Sequence, residues 1–168
     1  CTVGIIGCGH IGKDLVKLLQ PFECNILAHD ILDFPDFYEM HNVKPVSLNM
    51  LLRSSDVITL HLPLNKSTYH LLSLERLHLI KHGAILINLA RGGLIDEKVL
   101  KRMLQSGSIS GLSLDVLEEE PDIDLDLVET ENVFITPHIG GSTQEAIIAM
   151  GMSAIEGLDK HKNSLQFI

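Results

Sequence analysis

The stretch Val3-Gly4-Ile5-Ile6-Gly7-Cys8-Gly9-His10-Ile11-Gly12 decides how the rest of the chain is read. A short apolar run leads into Gly-x-Gly-x-x-Gly, and a helical pattern follows. A strand–turn–helix cradle for a dinucleotide needs this order. Gly7 permits the tight turn, Gly9 leaves room for a pyrophosphate against bare backbone, and Gly12 lets the helix lie close to the strand. The free N–H groups and positive dipole end of that helix then face the phosphates.

Three neighbouring features strengthen a motif that is weak alone. Ile11, Leu15, Leu18 and Leu19 fall on one face at helical spacing, and Pro21 stops the run. Asn25 to His29 reads as the next strand and ends at Asp30, where an acidic residue grips the adenosine ribose in such cradles. Ile31 to Phe34 include no cation, and Asp33 adds a second negative charge, so a 2′-phosphate is disfavoured. The cofactor expected is therefore NAD rather than NADP.

At 168 residues the chain can bury the core of one domain, and 45% hydrophobic with 21% charged residues is ordinary for a globular protein. A formal charge of −9 excludes the basic stripe of a nucleic-acid surface. No apolar stretch is long enough to cross a bilayer, and no secretory leader is legible. Three cysteines, Cys1, Cys8 and Cys24, suggest no disulfide framework, so a cytoplasmic setting is expected. The nine histidines have no metal-ligand spacing, and no metal site is expected.

Further along, strands alternate with helices. Phe34 to Met40 reads as a short helix or irregular segment, and Val43 to Val46 as a short strand. Ser47 caps a helix carrying Leu48, Leu51 and Leu52. Asp56 to Pro63 reads as a buried strand, and Ser73 opens a helix through Leu77 and Ile80, closed by Gly83. Ala84 to Leu89 is the most apolar run and a central strand. Asp96 caps a helix with Val99, Leu100, Met103 and Leu104; Ile109 to Leu114 is a strand ending at Asp115; residues 117–131 form an acidic loop; Asn132 to Ile135 is a last short strand. Ser142-Thr143-Gln144-Glu145 has the capping-box pattern and opens a long final helix.

This alternation predicts an α/β fold, a Rossmann-type doubly wound parallel sheet with helices on both faces. Gly7, Asp30, Pro63, Arg91 and Asp115 then lie along one edge, where ligands bind in such sheets. The final helix is apolar nearly all round, from Ala146 to Ile155, which implies another domain or subunit against it.

Arg91, Glu120 and His138 each follow a strand end. Arg91 offers a planar fork for a carboxylate. His138 can carry a proton near neutral pH, and Glu120 would favour its imidazolium and fix its tautomer. Each also has a plain reading: a surface cation, one of an acidic run, a turn residue after Pro137.

Five ordered motifs resolve the choice. Gly4 to Gly12, His61-Leu62-Pro63-Leu64, Asn88-Leu89-Ala90-Arg91-Gly92-Gly93, Leu114-Asp115-Val116 with Glu120-Pro121, and Thr136-Pro137-His138-Ile139-Gly140-Gly141-Ser142-Thr143 together resemble the NAD-binding domain of the D-isomer-specific 2-hydroxyacid dehydrogenases. The stretch from His138 to Ala146 is most similar to the D-3-phosphoglycerate dehydrogenase branch. The resemblance implies that Arg91 holds the substrate carboxylate, that His138 is the acid/base, and that Glu120 is its partner. It implies that Asp115 lies near the nicotinamide carboxamide, that His10 and Ile11 meet the pyrophosphate, and that Asp30 meets the ribose. It further implies that His61, Pro63, Leu89, Ala90, Gly140 and Gly141 line the cofactor.

The same resemblance implies hydride exchange between NAD and the 2-carbon of a D-2-hydroxy acid, 3-phosphoglycerate among the candidates, and a homodimer formed through the cofactor domain. The family's substrate-binding domain is built from sequence outside residues 1–168, so this stretch is expected to be one cofactor domain of a longer chain, weakly active or inactive by itself. An alternative of another class keeps the same motifs: an NADH-sensing interaction module like the transcriptional corepressors that resemble these dehydrogenases.

Overall fold

The computed structural model describes residues 1–159. They fall into two compact units, Cys1–Pro137 and a second that begins at His138. The first unit contains seven strands: β1 (Thr2–Ile6), β2 (Asn25–His29), β3 (Val43–Pro45), β4 (Val57–Leu60), β5 (Ala84–Asn88), β6 (Ile109–Leu114) and β7 (Val133–Ile135). Between them run α1 (His10–Leu19), α2 (Pro35–Met40), α3 (Leu48–Ser54), α4 (Leu74–Leu77), α5 (Glu97–Gln105) and α6 (Leu125–Val128). The strands form one sheet in the order β3-β2-β1-β4-β5-β6-β7, and every pair is parallel. Strand order reverses between β1 and β4, the point at which a doubly wound sheet opens a crevice for a ligand.

Alternation along β1 divides the core. Val3 and Ile5 join Val16 of α1, Ile26, Ala28 and Tyr38 on one face. Ile6 joins Leu51 and Leu52 of α3, Ile58, Leu86 and Leu100 of α5 on the other. Gly4 allows α3 to approach, since a Cβ there would strike the Ser55 hydroxyl and the Leu51 side chain. Buried Ser55 turns its hydroxyl onto the Leu51 carbonyl at 2.7 Å and so remains satisfied.

The expected α/β architecture is present, with local differences. Helix α1 buries Gly12 and Val16, flanked by Leu15 and Leu19, whereas Ile11 and Leu18 are 69% and 70% exposed. The face that touches the sheet is therefore set by Gly12, the residue that permits close approach. Helix α4 is a single turn; after it the backbone tightens to i→i+3 bonds, Leu79 to Arg76 and Ile80 to Leu77, and turns into β5. Farther along the α1/α2 face of the first unit's sheet, Ile85 and Phe134 are 41% and 66% exposed.

In the second unit, α7 (Gln144–Asp159) is the long final helix. Its cap is Thr143, whose hydroxyl accepts from the Ala146 amide at 3.1 Å, one residue later than the Ser142 capping-box pattern suggests. Ile147, Ile148, Met150, Met152 and Ile155 are all exposed.

Candidate functional site at the strand ends

Backbone bonds beyond the strands bring the C-terminal ends of the sheet into one line. The Gly7 amide donates to His29 at 2.8 Å, His61 to Ile6 at 2.8 Å, Asp115 to Asn88 at 3.1 Å, and Thr136 to Leu114 at 2.9 Å. Gly7, Asp30, His61, Pro63, Leu89, Ala90, Arg91 and Asp115 consequently share one edge of the first unit, as a parallel sheet with right-handed crossovers requires.

The glycine loop has the shape its sequence implies. Gly7 is left-handed at φ 97°, and a Cβ there would meet the His61 carbonyl. A Cβ on Gly12 would collide with the carbonyl oxygen of Gly7, so the start of α1 lies directly on the turn. Gly9 faces open space, which leaves the loop accessible to a ligand. Asp30 ties the loop to β2: its carboxylate accepts from the Cys8 amide at 2.6 Å and from the Leu32 amide at 2.9 Å. Burial raises the Cys8 thiol, and burial with the nearby Asp30 and Asp33 carboxylates pushes Tyr38 up to about 12, so both stay neutral at physiological pH. Burial lowers His61, whose Nε2 lies 3.1 Å from the Thr59 hydroxyl. The charge at the rim of the loop thus comes from Asp30, Asp33 and Lys13, whose ammonium sits 3.4 Å above the Phe34 ring.

At the end of β5 the chain turns sharply to present Arg91. Asn88, 1% exposed, holds that turn with both ends of its amide: Nδ2 donates to the Arg91 carbonyl at 2.9 Å and Oδ1 accepts from the Ala90 amide at 3.1 Å. Arg91 itself is exposed at the edge. Gly92 lets the next loop press in, because a Cβ there would overlap the Leu117 carbonyl group and the Glu118 nitrogen. The turn that follows Arg91 is therefore packed, at Gly92, against Leu117 and Glu118. In the 117–120 segment Glu120 Oε1 accepts from the Leu117 amide at 2.8 Å, and the Thr136 hydroxyl donates to the buried Asp115.

His138, Gly140 and Gly141 open the second unit. His138 is left-handed at φ 53°, and the Ser142 amide donates to the Ile139 carbonyl at 2.9 Å. Among the described residues no group of His, Cys, Asp and Glu side chains could hold a metal ion, and no helix is long and apolar enough to cross a membrane.

Sequence reasoning assigned no role to Asn88, Glu97, Glu118, Tyr69 or His70, which frame the Arg91 turn. The one legible signal was Asn88, a polar residue at the end of the most apolar run. The others become neighbours only through tertiary packing.

Residues 1–140 match the model of the D-isomer specific 2-hydroxyacid dehydrogenase NAD-binding domain. The chain is 43% identical over 160 residues to a D-3-phosphoglycerate dehydrogenase of Methanocaldococcus jannaschii, covering 95% of this chain and 30% of that protein. It is 41% identical over 145 residues to a glyoxylate reductase of Thermococcus litoralis, covering 86% and 44%. A crystal structure of D-lactate dehydrogenase from Aquifex aeolicus, complexed with NAD and lactic acid, superposes with a TM-score of 0.84 at 34% identity, covering 95% of this chain and 53% of that one. The chain spans between 30% and 52% of the length of the curated relatives it matches.

Proposed function

We propose, because this chain belongs to the D-isomer specific 2-hydroxyacid dehydrogenase family as an NAD-binding domain, that its strand ends serve hydride exchange with the 2-carbon of a D-2-hydroxy acid. The observation that carries the proposal is the shared edge on which the glycine loop, Asp30, the Arg91 turn and the Glu120 segment lie. NAD fits that edge: open Gly9 admits a diphosphate, α1 offers its N-terminal amides, and the Asp30 carboxylate suits ribose hydroxyls while opposing a 2′-phosphate.

Gly7, Gly9, His10, Ile11 and Gly12 would hold the diphosphate, and Asp30 the adenosine ribose. His61, Pro63, Leu89, Ala90, Asp115, Gly140 and Gly141 would line the remainder. When bound, the cofactor supplies or accepts the hydride. The protein's part is position and charge. Arg91 binds the substrate carboxylate through its fork and polarises the adjoining carbonyl. His138 gives a proton to the substrate oxygen in reduction and takes it back in oxidation. Glu120 favours the imidazolium that this requires.

The substrate class is a small 2-hydroxy or 2-oxo acid, and the names of the relatives favour 3-phosphoglycerate, glyoxylate and their analogues for the first trials. Because the chain spans about half or less of its relatives, we propose that it works as the cofactor half of a longer cytoplasmic dehydrogenase whose second domain reads the substrate side chain. The exposed apolar side chains of α7 favour assembly as a homodimer through this domain. In the full-length protein, His138→Ala should abolish NADH-dependent reduction of 2-oxo acids while NADH still binds by calorimetry. Turnover near the wild-type rate would refute the assignment of His138.

A further inference from the structure

Glu97, the first residue of α5, is half-buried, and its Oε1 accepts from the Glu118 amide at 2.7 Å. The carboxylate of Glu118 in turn accepts from His70 Nε2 at 2.7 Å and from the Tyr69 hydroxyl at 2.9 Å. The His70 amide donates to the Gly93 carbonyl at 2.8 Å, and the Leu72 amide to Leu94 at 3.0 Å. These bonds close a frame. One side is the Arg91–Leu94 turn, one the 69–72 segment, and one the Leu117–Glu120 segment, with Gly92 in direct contact with Leu117 and Glu118. Glu97 is the side chain that pins the third side to the start of α5.

The location is costly for an acid. Burial raises Glu97 to about 7; the bond from the Glu118 amide pulls the other way, and the charges of Glu118, Asp124 and Glu119 add to the rise. Glu118, Glu119, Asp122 and Asp124 from the acidic loop and Lys98 and Lys101 from α5 line the same cavity as Glu97, and His70 and Tyr69 reach it through Glu118. Lys101 is engaged by Asp124 at 2.8 Å and Asp126 at 3.0 Å, so it does not neutralise Glu97. A half-buried acid among like charges that accepts one short bond, 2.7 Å, from a loop amide is better placed to hold that loop than to add stability.

We propose that Glu97 is a positioning residue: by anchoring the Glu118 amide it fixes the Leu117–Glu120 segment, and with it Glu120, against the Arg91 turn. This rests on the reading of Glu120 and Arg91 given under Proposed function. The group required is an acceptor oxygen, so an amide serves where an apolar side chain does not.

The test compares E97Q, E97M and E97A in the full-length protein, using glyoxylate and hydroxypyruvate with NADH. E97M and E97A should lower kcat about tenfold, the loss of one buried anchoring bond, while NADH affinity stays within about twofold. E97Q should recover most of kcat. Amide exchange across residues 115–121 should accelerate in E97M and E97A and not in E97Q, a readout independent of turnover. The proposal is overturned if E97M or E97A keeps both wild-type kcat and slow exchange there, or if E97Q is as impaired as E97M. A wild-type protein that reduces no 2-oxo acid would sink the functional reading alone, and exchange at 115–121 would then decide the anchor.

Discussion

Replacing Asn88 by alanine tests whether the turn that presents Arg91 is held as described. The side chain is 1% exposed and makes two bonds, 2.9 Å to the Arg91 carbonyl and 3.1 Å from the Ala90 amide. Alanine removes both and leaves a carbonyl and an amide without their partner. Each orphaned buried group costs about 1–3 kcal/mol, and the half-open turn admits some water, so a total of about 2–4 kcal/mol is expected. For a chain of this size that corresponds to a fall of roughly 5–12 °C in Tm. Asn88→Asp keeps the acceptor for Ala90 but turns a carboxylate oxygen toward the Arg91 carbonyl, and should be destabilised as well. Urea unfolding followed by circular dichroism, with the slope m compared between variants, gives the number directly. An Asn88→Ala protein within about 0.5 kcal/mol of wild type would refute the claim that this amide holds the turn.

Three further outcomes follow from the same geometry. Gly12→Ala puts a methyl group onto the Gly7 carbonyl; NAD affinity measured by calorimetry should fall at least tenfold, on the order of 1.4 kcal/mol or more, and unchanged affinity would contradict the close packing of α1 on the loop. Asp30→Ala removes a carboxylate bonded to the Cys8 and Leu32 amides and proposed for the ribose; charged bonds of this kind are worth about 1.5–3 kcal/mol, so NAD should bind roughly 10–150-fold more weakly. The stability contribution of Glu97 has a defined sign. Its folded value is raised from 4.5 to about 7, so the folded state holds its proton more tightly than the unfolded chain. That contribution is complete below 4.5 and is lost as pH rises through about 7. The urea midpoint of wild type relative to E97Q should fall between those limits, and a pH-independent difference would show that Glu97 is not perturbed.

How much of this was legible in the residues depends on range. The β1–α1–β2 cradle is coded locally, by glycines at fixed offsets and an acid at the next strand end, and Asn25 to His29 forms β2 as read. The Ser47 and Asp96 caps are equally local, and both accept the expected amides, from Met50 at 3.3 Å and Val99 at 3.1 Å. The parallel, doubly wound architecture follows from the alternation of strands and helices, whereas the strand order β3-β2-β1-β4-β5-β6-β7 is set by tertiary packing and was not read from the residues. The buried face of α1 was misjudged because Ile11 and Leu18 are apolar yet sit away from the strand, while Gly12 and Val16 meet it. Glu97 and Glu118 lie in an acidic background where neither stands out; only the fold brings one to the other. The extent of α4 was overestimated because Leu74, Leu77 and Ile80 share helical spacing, which a single turn followed by i→i+3 bonds also satisfies.

The reaction proposed for this edge is hydride exchange with the 2-carbon of a D-2-hydroxy acid. The most direct measurement uses NADH carrying deuterium at the transferable C4 position, the full-length protein and hydroxypyruvate. Deuterium should appear on C2 of the D-hydroxy acid, and Arg91→Ala should stop the transfer. Label in the L acid, or NADH bound but not consumed across a panel of 2-oxo acids, would contradict the account.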